Sequence, residues 1–297
     1  MKTSTSKRLR WNIAIWLAAG LFMTSTAGMA SGPIMPDPKA EARHQPQVEE
    51  TANGIPLVNI TAPSSGGVSR NEYETFNVPD KGAILNNSYT LSKTELAGYV
   101  QGNNNMAERP AKIIVNEVTG AGSTSMDGFL EVAGNRADVV IANPNGITVN
   151  GGGFINTGKA FLTTGKPVYD GEDHLQRFDI TGGDILIEGK GLGGKETGSL
   201  AILSRAVKIN AGIWAKDLHI TTGANTVDAK TLEASAIEGK GGRPAFALDT
   251  AAIGGMYAGR ITLVGTEKGL GVNNSGTWSA EDNLTLDWNG DLKNSGT

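Results

Sequence analysis

The four residues Asn274-Ser275-Gly276-Thr277 recur as Asn294-Ser295-Gly296-Thr297, and Leu284-Thr285-Leu286 lies between the two copies. A period near twenty residues, with turn-forming residues at a fixed phase, is typical of a solenoid whose repeats bury their apolar faces only against their neighbours. Two copies also arise by chance in a chain rich in Gly and Asn, so the rest of the sequence has to support the repeat.

Short apolar runs bounded by Gly, Asn, Asp or Ser continue this pattern backwards to about residue 53, and they indicate short strands. No helical pattern alternates with them, so a doubly wound α/β fold fits poorly. We therefore predict an all-β chain that forms a right-handed parallel β-helix, with an N-terminal β cap and short β elements outside the helix. The clearest runs are Ile113-Ile114-Val115, Val139-Val140-Ile141-Ala142, Ile185-Leu186-Ile187, Leu200-Ala201-Ile202-Leu203, Val207-Lys208-Ile209, Leu218-His219-Ile220 and Ile261-Thr262-Leu263-Val264.

The dimensions of such a solenoid follow from its period. Twenty residues per coil would arrange the residues after residue 30 into about a dozen coils, a rod of about 60 Å at the spacing of paired strands. Aliphatic side chains should stack inside the rod, and Asn side chains should stack as amide ladders at the turns. An open solenoid end exposes unpaired backbone, and residues 53–92 are the candidate cap.

The first thirty residues read as a secretory signal. Four basic residues precede the apolar run 13–23, and small residues follow as Ala27-Gly28-Met29-Ala30, so we predict a signal peptide over 1–30 with cleavage after Ala30. A membrane anchor is the alternative, but the run is far shorter than the ~20 residues of a spanning helix. Residues 31–52, which contain four prolines, are predicted to be a flexible leader, with a short capping element as the alternative.

Charge and cysteine content limit the partners. The net charge is −4 with four positive and no negative charges in residues 1–30, so removal of that segment leaves about −8 and no basic cluster for phosphates. Nucleic acid is therefore not an expected partner. The chain has no cysteine, although disulfides are permitted outside the cytoplasm. A chain that is threaded unfolded through a pore cannot carry such cross-links.

The segment Ala142-Asn143-Pro144-Asn145-Gly146-Ile147 lies between two of the predicted strands and has the composition of a tight turn. Asn143 suits the first position, Pro144 presets φ at the second, Asn145 tolerates the third and Gly146 relaxes the exit. Such a turn is available to any β protein, so its meaning depends on its surroundings.

With its surroundings, this segment resembles the secretion domain of two-partner secretion exoproteins, the family of filamentous haemagglutinins, haemolysins and contact-dependent inhibition toxins. The resemblance covers roughly residues 53–250, which we predict to be the secretion domain, and residues 251–297 look like the start of a repeat shaft. The matching blocks are 53–60, 76–78, 84–88, the motif Asn143, Pro144, Asn145, Gly146, Ile147, and 148–157.

The family also carries an earlier Gly-Asn-Pro-Asn-Leu motif. The corresponding stretch here is Gly102-Asn103-Asn104-Asn105-Met106, in which Asn104 replaces Pro and Met106 replaces Leu. An Asn in place of Pro loses the preset φ but keeps turn competence. We therefore expect the turn to be retained with less rigidity.

The resemblance implies partners and a destination. General secretion machinery and signal peptidase should act on residues 1–30, and an outer-membrane β-barrel transporter should recognise the domain in the periplasm. The chain should then be threaded outward and fold at the cell surface or in the medium. The whole protein should be an adhesin or haemagglutinin, or a carrier of a contact-dependent inhibition toxin, and should meet a host or neighbouring-cell receptor through regions beyond this chain.

Two patterns suggest enzymes instead. Residues Gly189–Gly194 match G-x-G-x-x-G after a predicted strand, but strand and loop rather than a helix are expected to follow, so dinucleotide binding is disfavoured. The cluster Asp170, Glu172, Asp173 and His174 is the feature behind the alternative of a secreted β-helical polysaccharide-degrading enzyme, yet the spacing of a calcium loop is absent. His44 and His219 have no evident Ser or Asp partner. We therefore expect no catalytic residue, cofactor or metal.

Overall fold

A computed structural model describes residues 32–106 and 109–297. The predicted signal peptide and its cleavage after Ala30 lie outside the described residues. Within the described ranges the chain consists of strands and connecting turns, with a single 3-10 turn at Ala42–His44. No helix in this part of the chain is long and apolar enough to cross a membrane.

Most of the 28 strands are short, as the apolar runs predict. In chain order they are β1 (Ile34–Pro36), β2 (Gln47–Glu50), β3 (Pro56–Asn59), β4 (Val68–Phe76), β5 (Ala83–Asn87), β6 (Ser92–Thr94), β7 (Gly98–Val100), β8 (Ile113–Val118), β9 (Thr124–Met126), β10 (Phe129–Gly134), β11 (Ala137–Ala142), β12 (Ile147–Val149), β13 (Gly152–Ile155), β14 (Thr157–Thr163), β15 (Lys166–Tyr169), β16 (Leu175–Ile180), β17 (Asp184–Ile187), β18 (Leu192–Gly194), β19 (Ser199–Ser204), β20 (Ala206–Ile209), β21 (Gly212–Thr222), β22 (Asn225–Asp228), β23 (Ala234–Ala236), β24 (Phe246–Thr250), β25 (Gly255–Gly265), β26 (Gly271–Asn274), β27 (Thr277–Trp288) and β28 (Leu292–Asn294).

Parallel strands stack in three faces. The first face contains β4, β8, β11, β14 and β19, the second contains β3, β5, β10, β13 and β18, and the third contains β9, β12, β17, β20, β24, β26 and β28. The long strand β21 joins the first two faces, because its residues 213–215 pair with β18 and its residues 218–222 pair with β19. β25 and β27 continue both faces in the same way. The prediction of a parallel β-helix is confirmed.

The interior is built from rows of side chains that stack from coil to coil. One row of the first face is buried along its length, and each further row adds roughly 1.5–3 kcal/mol per large aliphatic side chain removed from water. Amide ladders accompany these rows: Asn86 donates to Asn59 over 2.8 Å, and Asn274 donates to Asn294 over 2.9 Å. The buried row consists of Ile114, Val139, Ala160, Leu200, Leu218 and Ile261.

The number of coils differs from the prediction. Counting one strand set per turn gives eight coils in residues 32–106 and 109–297, so the prediction of about a dozen is wrong and the stack is about 40 Å long at the spacing of paired strands. Coil-to-coil partners such as Leu200 and Leu218 are 18 residues apart, whereas Leu218 and Ile261 are 43 apart. The residues that the eight coils do not contain form β elements outside the helix. These are the hairpin β6–β7 and the strands β15, β16, β22 and β23.

Four of these extra strands form a small sheet outside the helix. β16 pairs antiparallel with β22, so segments that leave the stack from two different coils meet each other. The sheet covers the outer side of the first face, where Phe161 and Phe178 lie with ring centroids 5.9 Å apart. This second core explains why outward-pointing residues of the first face, such as Val140, are apolar.

The N-terminal cap begins earlier than predicted. The prediction of a flexible leader over 31–52 is wrong, because β1 pairs antiparallel with β4 and β2 pairs antiparallel with β3. These two strands end the 15-stranded sheet on both sides, and Ile34 is buried in the main core. Backbone pairing and one apolar anchor order a segment whose composition favours disorder, and they close the first coil against further strand addition.

The last two coils continue the same stack. The repeat copies found in the sequence pair in register, since Asn274 lies opposite Asn294 in the β26–β28 pair. The Ser275 and Ser295 hydroxyls lie 3.2 Å apart. The division of the chain at residue 250 into a secretion domain and a shaft stays a prediction.

Candidate functional site

The motif Asn143–Ile147 forms the corner between β11 on the first face and β12 on the third. The Asn145 N–H donates to Asn143 Oδ1 over 2.9 Å, and the Gly146 N–H donates to the Asn143 carbonyl over 3.1 Å. Gly146 has φ +110°, and a β-carbon there would lie 3.0 Å from the Asp184 carbonyl oxygen. Glycine is favoured at this exit because the positive φ strains other residues and a β-carbon would crowd the Asp184 carbonyl.

The Asn143 side chain is fully buried and has a partner at every polar atom. Its Nδ2 donates to the Gly122 carbonyl over 2.9 Å and to Thr124 Oγ1 over 3.0 Å. Its backbone N–H donates to the Thr163 carbonyl over 2.9 Å. One residue therefore connects the coil below it to the coil above it.

The Asn145 side chain is exposed but also reaches the preceding coil. Its Nδ2 donates to the Gly120 carbonyl over 2.8 Å and lies 3.4 Å from the Gly122 carbonyl. The two asparagines of the motif thus share an acceptor segment in the loop between β8 and β9. Their amides are engaged within the folded domain, as structural contacts between coils.

The second motif, Gly102–Met106, repeats this geometry. The Asn105 N–H donates to Asn103 Oδ1 over 2.9 Å, and the Met106 N–H donates to the Asn103 carbonyl over 3.1 Å. The buried Asn103 Nδ2 donates to the carbonyls of Ile60 and Asn86, both over 2.9 Å. The turn is retained without proline, as expected, and its lower rigidity stays a prediction. Met106 is fully buried in the main core.

The glycine-rich stretch Gly189–Gly194 is a turn that leads into a strand. Gly189 and Gly191 have φ values of +57° and +80°, and Leu192–Gly194 is β18, which is followed by β19. A dinucleotide fold would place a helix N-terminus after these glycines to hold the pyrophosphate. In this chain a strand follows the glycines, so they lead to no helix N-terminus that could hold a pyrophosphate.

The acidic cluster lies in the loop between β15 and β16. Asp170 accepts from the backbone N–H groups of Glu172 and His174, each over 2.9 Å, and its Oδ2 lies 2.9 Å from His174 Nδ1. The hydrogen bond from the His174 backbone lowers the pKa of Asp170. Asp173 pairs with Arg43 of the cap over 2.7 Å. In the described part of the chain, no His, Cys, Asp and Glu side chains are grouped to hold a metal ion.

A buried charged cluster was missed in the sequence. Arg70 of β4 lies 2.8 Å from Glu72 and 3.5 Å from Glu117, and its guanidinium carbon lies 4.5 Å from the centre of the Tyr169 ring. His44 Nδ1 lies 3.1 Å from Glu72. The alternation of β4, which places Arg70 and Glu72 on one side of the strand, was the available signal.

Burial sets the protonation of this cluster. Desolvation raises the pKa of Glu117 against the opposing effect of Arg70. Desolvation also lowers the pKa of His44, and the positive charge of Arg70 lowers it further. The folded state therefore favours the neutral form of His44 beside Glu72. The cluster joins the cap, the first face and the outer sheet, since Tyr169 belongs to β15.

Comparisons with known proteins agree with this geometry. The sequence model of the TPS secretion domain matches residues 33–294. The chain is 46% identical over 249 residues to a Toxin CdiA of Yersinia pestis, covering 83% of this chain and 8% of that protein. It is also 46% identical over 249 residues to a 16S rRNA endonuclease CdiA of Enterobacter cloacae, covering 82% of this chain and 8% of that protein.

A solved structure shares the fold. The crystal structure of a filamentous hemagglutinin secretion domain superimposes with a TM-score of 0.78 at 31% identity, and covers 89% of this chain and 95% of that one. The chain spans about 8% of the length of the two toxin relatives named above. The features that these proteins share with it therefore concern one domain of longer proteins.

Proposed function

This chain belongs to the family of TPS (two-partner secretion) secretion domains, and on that premise we propose that it starts both the export and the folding of a longer exoprotein. Domains of this family are exported to the cell surface or the medium through a cognate outer-membrane transporter. The chain therefore has a transporter as partner, and its working state during passage is unfolded.

The observation that carries the proposal is the position of the two Asn turns in the stack. In each turn the buried asparagine amide donates to a carbonyl of a coil nearer the amino terminus, that of Gly122 for Asn143 and that of Ile60 for Asn103. A coil that forms outside the cell can therefore be locked onto the coil already there. Backbone pairing adds to this lock, since parallel neighbours exchange hydrogen bonds along each face.

Recognition in the periplasm precedes this folding. We propose that soluble domains of the transporter bind an extended segment of the chain by strand addition, which depends on main-chain hydrogen bonds and modest side-chain specificity. The general secretion machinery and signal peptidase act before it, on residues 1–30. Because the motif asparagines bond to backbone groups of the folded domain, their main role is in folding rather than in direct contact with the transporter.

The whole protein is proposed to be a carrier of a contact-dependent inhibition toxin, with an adhesin or haemagglutinin as the second candidate. The toxin names of the CdiA relatives favour the first, and the filamentous hemagglutinin neighbour is the reason for the second. Its receptor on a host or neighbouring cell would bind regions beyond this chain. The domain itself is proposed to be non-catalytic, in preference to a polysaccharide-degrading enzyme, because the cluster Asp170–His174 is engaged in loop and cap contacts.

The test is export by cells that carry the cognate transporter. Replacing Asn143 and Asn145 together by Ala, or deleting residues 142–147, should leave entry to the periplasm intact and abolish appearance outside the cell. The matched control replaces the exposed Asn135 and Asn289 by Ala and should be exported normally. Undiminished export of the deletion variant would defeat the proposal.

A further inference from the structure

Asn156 occupies a different corner of the helix, between β13 on the second face and β14 on the first. Its φ is +55°, and within residues 32–106 and 109–297 only Asp173 and Leu232 share a positive φ among residues other than glycine. A left-handed backbone disfavours most side chains, although Asn tolerates it better than others. This preference explains why Asn is found at a positive φ, but it does not explain the hydrogen bonds of its side chain.

Those contacts match the ones made by Asn145. Asn156 Nδ2 donates to the Val132 carbonyl over 2.8 Å and to the Gly134 carbonyl over 3.0 Å. Both acceptors belong to the coil before it, 24 and 22 residues earlier. Asn145 reaches two carbonyls of its preceding coil that are likewise two residues apart, those of Gly120 and Gly122.

We propose that Asn156 is a third coil clamp, a positioning residue that fixes the fourth coil on the third during folding outside the cell. The inference rests on the proposed function. It extends the role from the two motif turns to a corner that lies outside both motifs. The acceptors are backbone carbonyls of the preceding coil, so they are in place before Asn156 arrives when the helix grows from its capped end.

The order of the chain makes this clamp useful at a particular moment. The strand that pairs with β14 from the next coil is β19, and the paired residues Ala160 and Leu200 are 40 residues apart in the sequence. A long segment, including β15 and β16, must therefore emerge before β14 gains its partner above. Until then β14 is held by β11 below it and by its corner, and Asn156 secures that corner to Val132 and Gly134.

Two substitutions separate a clamp from a residue that merely suits the turn. Asn156→Gly keeps, and even eases, the positive φ but removes the amide. Asn156→Asp keeps the shape and the tolerance of the left-handed region but replaces the donor with an acceptor that faces two carbonyls. The control is Asn150→Asp, because the exposed Asn150 side chain accepts a hydrogen bond from Lys190 N–H through Oδ1, which Asp retains.

The experiment measures two quantities for each variant. The first is the folded-to-unfolded ratio of the full chain, purified in denaturant, refolded by dilution and followed by tryptophan fluorescence. The second is the ratio of chain outside the cell to chain in the periplasm in the presence of the transporter. We expect both Asn156 variants to lower the folding ratio about tenfold, the usual net effect of one to two hydrogen bonds, and to lower the export ratio, with Asn150→Asp unchanged.

Each other outcome overturns the inference. A folded-to-unfolded ratio of Asn156→Gly equal to that of the unaltered chain would show that Asn156 only suits the backbone of the turn. Reduced folding with unchanged export would show that the contact stabilises the domain without serving export. Failure of the proposed function is recognised separately, because it requires normal export of the variant in which Asn143 and Asn145 are both replaced.

Discussion

The two asparagine turns, Gly102–Met106 and Asn143–Ile147, differ in sequence and agree in geometry. The second has Pro144 and Gly146 where the first has Asn104 and Met106. In both, the N–H of Asn105 or Asn145 donates over 2.9 Å to the Oδ1 of the asparagine two residues before it. The buried amide of that earlier asparagine donates over 2.9 Å to a carbonyl of the preceding coil, that of Ile60 or Gly122.

This difference separates two tasks within one motif. The asparagines bind the coil below, and the other residues adapt the turn to local space. Gly146 faces the Asp184 carbonyl, which a β-carbon would approach to 3.0 Å, whereas Met106 is buried in the main core. Four predictions test this division of tasks, beginning with the largest expected effect.

Loss of either buried asparagine should be the most damaging change. Asn143→Ala and Asn103→Ala should each lower the free energy of unfolding by about 3 kcal/mol, because buried partners lose their hydrogen bonds and a space is left behind. Denaturant titration of the refolded chain measures both. A loss below about 1 kcal/mol at only one of the two positions would show that the turns are not equivalent.

The exit residues should not be interchangeable. Gly146→Ala should cost about 2 kcal/mol through strain in the left-handed region and contact with the Asp184 carbonyl. Met106→Leu should cost less than about 1.5 kcal/mol because the volume of the core is conserved. The same titration compares them, and equal losses would contradict the assignment of Gly146 to a close approach.

Acid should affect the first coil, which His44 contacts through Glu72, more than the coil that carries the Asn143 turn. His44 lies beside the first coil, and its pKa is lowered by burial and by Arg70, so the folded state favours the neutral form. The stability that this gives is present above the ordinary His pKa and is lost as the pH falls through the lowered value. Hydrogen exchange, corrected for intrinsic rates, should show a few-fold loss of protection in β1 and β4 between pH 7 and pH 5, and little change in β11.

The matched variant for this experiment is His44→Gln, in which the pH dependence should be weaker. Both proteins retain Glu117, whose pKa is raised by burial and which therefore acts in the opposite sense, so its effect cancels in the difference. Identical pH dependence in the unaltered chain and in His44→Gln would show that His44 does not cause the loss of protection in acid.

Proline should make the smallest difference. Asn104→Pro should stabilise the chain by about 0.5 kcal/mol, because the unfolded state loses conformational freedom, and Pro144→Ala should destabilise it by a similar amount. Thermal unfolding resolves both shifts. A large loss on Pro144→Ala would mean that the preset φ, rather than the asparagine amides, holds the turn.

The local features of this fold were readable in the sequence, and the long-range ones were not. The apolar run Val139–Ala142 became β11, and the repeated Asn274 and Asn294 became a stacked ladder, because both signals are local. The predicted number of coils was wrong because an alternating strand such as Leu175–Ile180 looks the same inside the stack and outside it, and its partner β22 is distant in the sequence.

The sequence did not reveal the ordered cap or the charged cluster, for a related reason. Residues 34–50 carry few apolar groups, and their order comes from backbone pairing with β3 and β4, which composition does not reveal. Arg70 and Glu72 look like solvent-facing residues until the outer sheet brings Tyr169 over them. For the site, the sequence identified both asparagine turns but not their acceptors, because those carbonyls lie in an earlier coil.

The most direct test of the central claim is the export ratio of two variants through the cognate transporter. One carries Asn103→Ala with Asn143→Ala, and the other carries Pro144→Ala. If the asparagine amides hold each coil to the one before it, the first variant should accumulate in the periplasm while the second reaches the outside nearly as well as the unaltered chain. Efficient export of the first, or retention of the second alone, would contradict the account.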